Sequence, residues 1–333
     1  MNIGHDNPIQ KIFRHHAVVL AIACGAYCVA AISADGYPAK PVRLVVPFAP
    51  GGGSDVVGRI VGQKLTDSLG QTVVVDNRPG AASVLGTDLV AKSQPDGYTL
   101  LLADLALTIN PAYYVKQAPA DPTKQFVGIA QVAETPYVLM VHPGLPAATI
   151  RDFIALARAQ PGKINIGSSG NGGGLHLTLE LFKLKAGINL SHIPYKGGVP
   201  ALTDTMAGQI QGTFIGFGGT LQYVQNGRVR ALVVTSAKRN ATLPELPTLV
   251  ELGYDVIVTN WYGVVTPAGT PQPVINRLYE DIGRALAQPD VRERLTATGL
   301  ELVPQSPGQF QRFIASEVKR WAQAIKDARM QTE

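Results

Sequence analysis

The sequence predicts an α/β protein of two lobes, each built on a mostly parallel sheet that is flanked by helices. Short β-rich apolar runs alternate with amphipathic helical stretches along most of the chain, which is the pattern of parallel strands joined by crossover helices. With 333 residues, the chain is longer than a single hydrophobic core usually holds. Two of the strand-like segments are placed where the chain could cross between lobes. We therefore expect one discontinuous lobe and a two-strand hinge.

The first 34 residues differ from the rest and have the composition of an export signal. Lys11 and Arg14 supply a basic segment, residues 17–32 are apolar and uncharged, and small residues precede a cleavage site after Ala34. The apolar run of about 16 residues is shorter than the roughly 20 that a membrane anchor needs. Lipid attachment at Cys24 is the other alternative, but no leucine lies three residues before it. We predict a signal peptide over residues 1–34 and an exported mature protein.

Composition excludes several classes of function. Both cysteines, Cys24 and Cys28, lie inside the predicted signal peptide, so the mature chain cannot depend on disulfides or thiolate metal sites. The formal net charge of +5 is mild, and no basic run is interleaved with aromatic residues, which argues against nucleic acid as a partner. The mature histidines, His142, His176 and His192, are scattered, and no G-x-S-x-G motif is present. We therefore expect no metal, no cofactor and no catalytic residue.

The helix and strand assignments rest on periodicity and on turn residues. In the first helix, Val57, Ile60 and Leu65 recur on one helical face, and Gly70 follows as a stop signal. The elements predicted before residue 137 are strands over 42–46, 73–75 and 99–102 and helices over 56–69 and 85–92. Those predicted after it are strands over 137–141, 163–166 and 229–234, strands near Ile193 and Phe214, a crossing strand over 261–265, and helices over 151–160, 177–184, 273–286 and 307–329. The predicted lobe 1 is 35–136 plus 262–333, and lobe 2 is 137–261.

Two glycine-rich loops are the most informative motifs, because each follows a predicted strand and precedes a predicted helix. Glycine lets the main chain approach a ligand closely, and free amides at a helix start attract an anion. Ligands of open α/β sheets bind beyond the carboxyl ends of the strands, where both loops lie. Each loop can therefore hold a carboxylate without an arginine. The first loop contains Pro47, Phe48, Ala49, Pro50, Gly51, Gly52, Gly53, Ser54 and Asp55, and the second contains Gly167, Ser168, Ser169, Gly170, Asn171, Gly172, Gly173 and Gly174.

Other interpretations of these loops stay open. The second loop lacks the Lys-Ser/Thr ending of a P-loop, whereas Asp76 lies about 20 residues beyond the first loop and keeps a dinucleotide site possible. Asp55, directly after Ser54, is expected to cap the helix start rather than face a ligand. His176 could either assist an anion or serve as a local hydrogen-bonding partner.

The mature chain resembles the Bug-type receptors, the TctC-like substrate-binding components of tripartite tricarboxylate transporters. The resemblance covers essentially the whole mature chain, and its motifs are specific in their order. They are Tyr37-Pro38, Pro41-Val42-Arg43, the first glycine loop, Asn77-Arg78-Pro79-Gly80-Ala81, Pro95-Asp96-Gly97-Tyr98-Thr99-Leu100, His192-Ile193-Pro194-Tyr195-Lys196-Gly197, Arg230-Ala231-Leu232-Val233-Val234-Thr235 and Pro267-Ala268-Gly269-Thr270-Pro271.

The resemblance implies a monomeric periplasmic binding protein of type II, whose two lobes close like a venus flytrap. It implies that main-chain amides and ordered waters hold a small carboxylate, which could be a di- or tricarboxylate, an amino acid or an aromatic acid. The contacts fall on Phe48, on Ala49 to Ser54 and on Ser168 to Gly174, with His176 beside them. Side chains that vary with the ligand come from Ser83, from Asp104 and from the turn around Gly216. The partners would be permease subunits of a tripartite tricarboxylate-type transporter, with a sensor kinase or an α/β enzyme activity as alternatives.

Three residues or segments depart from the family pattern. Asp104 stands where relatives commonly carry small or uncharged polar residues, so it could pair with an ammonium group, cap a helix or face solvent. Ile215 replaces an aspartate that often follows the phenylalanine, which favours a less polar ligand. Gly173 and Gly174 stand where hydroxyl residues are common. The carboxylate end of the ligand is therefore predictable, and its other end is not.

Overall fold

The computed structural model describes residues 36–117, 119–217 and 220–333. The signal peptide predicted over residues 1–34 lies outside the described residues. Among the helices that are described, none combines the length and the apolar character needed to cross a bilayer.

Ten strands and ten α-helices alternate along the described chain, with a short 3-10 helix at Ala81–Ser83. The strands are β1 (Val42–Val46), β2 (Val73–Asn77), β3 (Thr99–Asp104), β4 (Phe126–Val141), β5 (Asn165–Ser168), β6 (Ser191–Pro194), β7 (Gly212–Gly216), β8 (Arg230–Val234), β9 (Thr259–Pro267) and β10 (Glu301–Gln305). The helices are α1 (Gly53–Leu69), α2 (Val84–Ala91), α3 (Ala106–Tyr113), α4 (Ile150–Ala159), α5 (Gly174–Ala186), α6 (Gly198–Met206), α7 (Leu221–Gln225), α8 (Gln272–Ala287), α9 (Pro289–Ala297) and α10 (Pro307–Asp327).

The strands form a mixed sheet in the order β2-β1-β3-β9-β4-β7-β5-β6, and β10 and β8 pair with β4. Strand β1 runs parallel to β2 and β3, and β5 runs parallel to β6 and β7. Antiparallel strands β9 and β4 lie between these two parallel sets. Each half of the sheet is therefore a parallel set completed by the long central strands.

Strand β4 belongs to both halves of the sheet. Its residues from Phe126 to Pro136 pair with β9, and those from Tyr137 to Val141 pair with β7. The partners change between Pro136 and Tyr137. We keep the lobe boundaries at 136/137 and 261/262 as a prediction, and this change of partners favours the first of them.

Helices cover both faces of the first parallel set. Leu44 and Leu102 pack in one apolar cluster with residues of α1 and α8, whereas Val45 and Leu101 pack in a second cluster with residues of α2, α3 and α10. Successive strand residues point to opposite faces, so both faces must be apolar for these strands to be buried. This burial on two sides explains why the strands read as continuous apolar runs.

Four helices and one strand were not predicted: α3, α6, α7, α9 and β10. Helix α3 contains Pro111 and several β-branched or aromatic residues, and α6 begins at Gly198 with Pro200 two residues later. These residues have low helix propensity, and tertiary contacts override it here. The strand predicted over 163–166 begins two residues later, at Asn165, and the helix predicted to reach residue 329 ends at Asp327.

Candidate functional site

The two glycine loops meet at one cavity. The first loop joins β1 to α1 and the second joins β5 to α5, so the amino ends of both helices lie at the cavity wall. The N-cap residues are Gly52 and Gly173, which supply no side chain to the first turn. Amides at the start of each helix are therefore available to an anion. The cavity encloses about 710 Å³ of empty space, its open mouth included.

A buried tyrosine lies behind each helix start. A Cβ atom added to Gly53 would collide with the hydroxyl oxygen of Tyr262, and one added to Gly174 would lie 2.5 Å from the hydroxyl oxygen of Tyr137. The two tyrosines come from the central strands β9 and β4. Glycine is thus required at the first residue of each helix, because any side chain there would displace a tyrosine from the cavity wall.

Asp104, the last residue of β3, is the one acidic residue in the described wall of the cavity. Its side chain is buried, its Oδ1 accepts a hydrogen bond from the amide of Ala106 at 3.0 Å, and the Ser54 side chain hydrogen-bonds to it as well. Burial raises the pKa of Asp104 to about 7, and these two hydrogen bonds oppose the rise. Asp104 therefore accepts a hydrogen bond from the first amide of α3 and lines the cavity at the same time.

The described wall contains no lysine, arginine or histidine. Its polar side chains besides Asp104 are those of Ser54, Ser169, Thr220, Asn260 and the two tyrosines. Burial and the nearby Asp104 carboxylate raise the pKa of both phenols, so Tyr137 and Tyr262 keep their protons at neutral pH. Main-chain amides and hydroxyl groups, rather than cations, are what this wall offers an anion.

The structure brings half of the predicted binding residues to the cavity wall. Those that line it are Phe48, Ala49, Gly52, Gly53, Ser54, Asp104, Ser169, Gly174 and Gly216. Those outside the lining are Pro50, Gly51, Ser83, Ser168, Gly170, Asn171, Gly172, Gly173 and His176.

Several residues outside the lining hold the second loop in shape. The Ser168 hydroxyl lies 2.6 Å from His192 Nε2, the Tyr114 hydroxyl donates to the main-chain oxygen of Asn171 at 2.6 Å, and the amide of Gly172 donates to His176 Nδ1 at 3.1 Å. These bonds fix the backbone that leads into α5.

His176 lies outside the cavity wall and acts as a local hydrogen-bonding partner. Its ring stacks on that of His192 with the centroids 3.9 Å apart. Burial lowers the pKa of each ring to about 4, so both are neutral at pH 7. Of the two roles considered for His176, the geometry favours the local one.

Asp55 lies outside the cavity lining, and its carboxylate binds the first loop rather than an amide of α1, where a helix cap was expected. Its Oδ2 accepts hydrogen bonds from the amide of Gly51 at 3.0 Å and from Nε of Arg59 at 2.9 Å, and its Oδ1 accepts one from Asn77 at 3.0 Å. The carboxylate that the dinucleotide interpretation required, that of Asp76, is instead engaged by Arg43 and Arg78.

Several residues of the cavity wall were not predicted from the sequence. The largest group is a third glycine turn, in which Gly197 and Gly198 follow β6 and begin α6. Its pattern of strand, glycines and helix is the same as in the other two loops and could have been found. The other missed residues are Ala106, Tyr137, Leu175, Val199, Pro200, Thr220, Asn260 and Tyr262, and their patterns are those of ordinary core or turn residues.

Comparisons with known proteins agree with this architecture. Residues 57–330 match the sequence profile of the tripartite tricarboxylate transporter family receptor, TctC. Protein BugT of Bordetella pertussis, strain Tohama I, is 38% identical over 315 residues, which cover 93% of this chain and 96% of BugT.

Solved structures with the same fold include two related binding proteins. The periplasmic binding protein BugD has a TM-score of 0.85 and 35% identity, over 89% of this chain and 100% of BugD. The R. palustris protein Rpa4515, solved with adipate, has a TM-score of 0.84 and 32% identity, over 88% of this chain and 98% of Rpa4515. These matches confirm the two-lobed α/β fold of a periplasmic binding protein. The chain therefore belongs to the tripartite tricarboxylate transporter receptor family, as a Bug-type, TctC-like solute-binding receptor and not an enzyme.

Proposed function

We propose that this protein is exported to the periplasm, captures a small carboxylate between its glycine loops and delivers it to the permease subunits of a tripartite tricarboxylate-type transporter. Family membership supports the receptor role, and the adipate bound to Rpa4515 supports a carboxylate as the ligand class. We propose the predicted contacts on both glycine loops as the binding site, together with the third glycine turn.

The convergence of two helix starts on one cavity, whose described wall carries no cationic side chain, is the observation that carries this proposal. Each helix dipole places about half a positive charge at its amino end, where free amides can donate to carboxylate oxygens. Apolar residues such as Phe48, Leu175 and Ile215 make up much of the remaining wall. A small ligand with one or two carboxylates and a short apolar body fits such a wall.

Calorimetric titration with a carboxylate panel tests the proposal. The panel contains adipate, other di- and tricarboxylates, amino acids and aromatic acids. We expect saturable binding of at least one acid without any turnover. Binding of none of them, or conversion of one to a product, would contradict the proposal.

Substitution of Gly52 locates the site. Gly52 lines the cavity, and an added Cβ would meet only ordinary contacts at 3.9 Å and beyond, so Gly52→Val should fold while its side chain blocks the approach of the ligand. Gly283→Val, on the exposed face of α8 with nothing within 4 Å of the added Cβ, is the matched control. We expect Gly52→Val to show no detectable binding and Gly283→Val to bind normally. Normal binding by Gly52→Val would place the site elsewhere.

Gly172 is a poorer position for the same test. Its φ of +69° disfavours any side chain, and an added Cβ would collide with the ring of Tyr113. A bulky residue there would distort the second loop itself, so lost binding would not show where the ligand lies.

Delivery to a permease and presentation to a sensor kinase are separable outcomes. Cells that lack their own copy of the protein are supplied with the wild type or with Gly52→Val, and uptake of the labelled ligand is measured. Loss of uptake with the variant supports delivery, whereas normal uptake combined with lost ligand-dependent transcription supports the sensing alternative.

A further inference from the structure

We propose that Asp104 selects a ligand that carries a protonated amino group besides its carboxylate, so that the preferred ligand class is an amino acid. The inference rests on the proposed function, because it names the second end of a ligand whose carboxylate is held by the glycine loops. It is carried by the position of Asp104 in the wall and by the absence of any cation near it in the described residues.

The Asp104 carboxylate retains hydrogen-bonding capacity toward the cavity. An ionised carboxylate has about four acceptor positions. Among the described residues two donors reach this one, the amide of Ala106 and the side chain of Ser54. The residue is 6% exposed and lines the cavity, so a bound ligand is the group best placed to supply the next donor.

The charge balance of the site favours a ligand that brings a cation. No ion pair involving Asp104 occurs in the described chain, where the other deeply buried acidic residues, Asp55, Asp281 and Glu317, each have an arginine partner. A buried, unpaired carboxylate is unfavourable, and an ammonium placed against it relieves that cost. A ligand with carboxylates alone would instead add a second negative charge to the cavity.

The opposing chemistry is a neutral Asp104 whose hydroxyl donates a hydrogen bond to the ligand's carboxylate. The two possibilities differ in the sign of their pH dependence. The titratable groups that face Asp104 are Tyr137 from β4 and Tyr262 from β9, and both phenols stay protonated in the neutral range. Changes between about pH 5.5 and about pH 8 therefore report Asp104, whose pKa burial raises into that interval.

The experiment compares each amino acid with its deamino analogue by calorimetric titration. The pairs are aspartate with succinate, leucine with 4-methylpentanoate, and phenylalanine with 3-phenylpropanoate. For at least one pair we expect the amino acid to bind at least about tenfold more tightly, and its affinity to rise as the pH is raised. Tighter binding of every deamino acid, or affinity for the amino acid that falls as the pH is raised, overturns the inference.

Variants separate the charge of Asp104 from its shape. Asp104→Asn keeps the shape and removes the charge, so it should weaken binding of the amino acid and strengthen binding of its deamino analogue. Asp104→Ser should change both affinities in the same direction, and it serves as the second test if Asp104→Asn fails to fold. Asp67→Asn removes one charge from the exposed face of α1 and should leave the preference unchanged. An unchanged preference in both Asp104 variants overturns the inference.

These outcomes are distinguishable from failure of the proposed function. If the deamino acids bind to the glycine loops as well as the amino acids do, the receptor for carboxylates stands and the role of Asp104 falls. If acids of the wider carboxylate panel bind but no acid of any pair does, the role of Asp104 falls as well. If no acid of the panel or of the pairs binds, the carboxylate receptor itself is refuted.

Discussion

Replacing Asp104 with asparagine should stabilise the ligand-free protein, and the gain should grow with pH. Burial raises the pKa of this carboxyl from 3.8 to about 7 in the folded protein. A group that binds its proton more tightly in the folded protein makes folding less favourable when the proton is lost. The free energy of unfolding therefore decreases as the pH rises from the pKa in the unfolded chain to the pKa in the folded protein. The full penalty above pH 7 is at most about 4 kcal/mol, since one pKa unit corresponds to about 1.4 kcal/mol. Asparagine does not titrate, so the variant avoids this penalty.

Urea denaturation at about pH 5 and at about pH 8 measures the effect. Across that interval, the free energy of unfolding of Asp104→Asn relative to the wild type should increase by about 3 kcal/mol. Fluorescence of the buried Trp261 and Trp321 reports unfolding, and bound solute is first removed by dialysis in denaturant. Asp67→Asn serves as the control and should follow the wild type. If the wild type and Asp104→Asn differ by the same amount at both pH values, the carboxyl is not held in a desolvated site and the reasoning fails.

The remaining predictions concern the second glycine loop and the histidine pair. Gly174→Ala places a methyl group 2.5 Å from the Tyr137 hydroxyl, so it should lower the free energy of unfolding by about 1–3 kcal/mol and weaken carboxylate binding. The control Gly283→Ala, on open surface, should do neither. Equal melting and equal binding by the two variants would contradict the close packing of Gly174 on Tyr137. Burial lowers the pKa of His176 and His192 from 6.5 to about 4. Between these two pH values the unfolded chain binds more protons than the folded one, so the free energy of unfolding should fall as the pH is lowered from 6.5 to about 4. His176→Gln should reduce that slope, which is about 1.4 kcal/mol per pH unit for one proton, and an unchanged slope would show that His176 does not contribute.

Much of the fold could be predicted because the packing that decides it also shapes the sequence. Strand β1 lies between helices on both faces, so all its residues must be apolar or half-buried, and the run is visible without a structure. Helix α1 shows its buried face in the spacing of Val57, Ile60 and Leu65. Helix α3 could not be recognised, because Pro111 and its β-branched neighbours argue against a helix, and tertiary contacts, above all those with α10, maintain it.

The candidate site could be predicted as a pair of loops but not residue by residue. In the second loop, Gly172 and Gly174 are chemically identical, yet Gly174 lines the cavity and Gly172 packs on Tyr113. The direction of each amide depends on backbone angles, which a run of glycines leaves free. Tyr137 and Tyr262 are ordinary strand residues by pattern, and they lie behind the loops only because β4 and β9 cross the centre of the sheet.

Asp104 connects the stability of the empty protein to the chemistry of its ligand. The residue that destabilises the ligand-free state at neutral pH is the residue that gains most when a cation arrives, so part of the binding free energy is relief of a cost already present. Binding of an amino acid should then raise the stability of the wild type more at about pH 8 than at about pH 5, while Asp104→Asn, which carries no such cost, should show the same increment at both. A carboxylate without an amino group restores nothing at this position and adds charge beside it. An ordinary ion pair between Asp104 and the ligand's ammonium is therefore sufficient for selectivity. Because the amino acid relieves the penalty of the empty cavity and its deamino analogue does not, that penalty supplies the difference between their binding free energies.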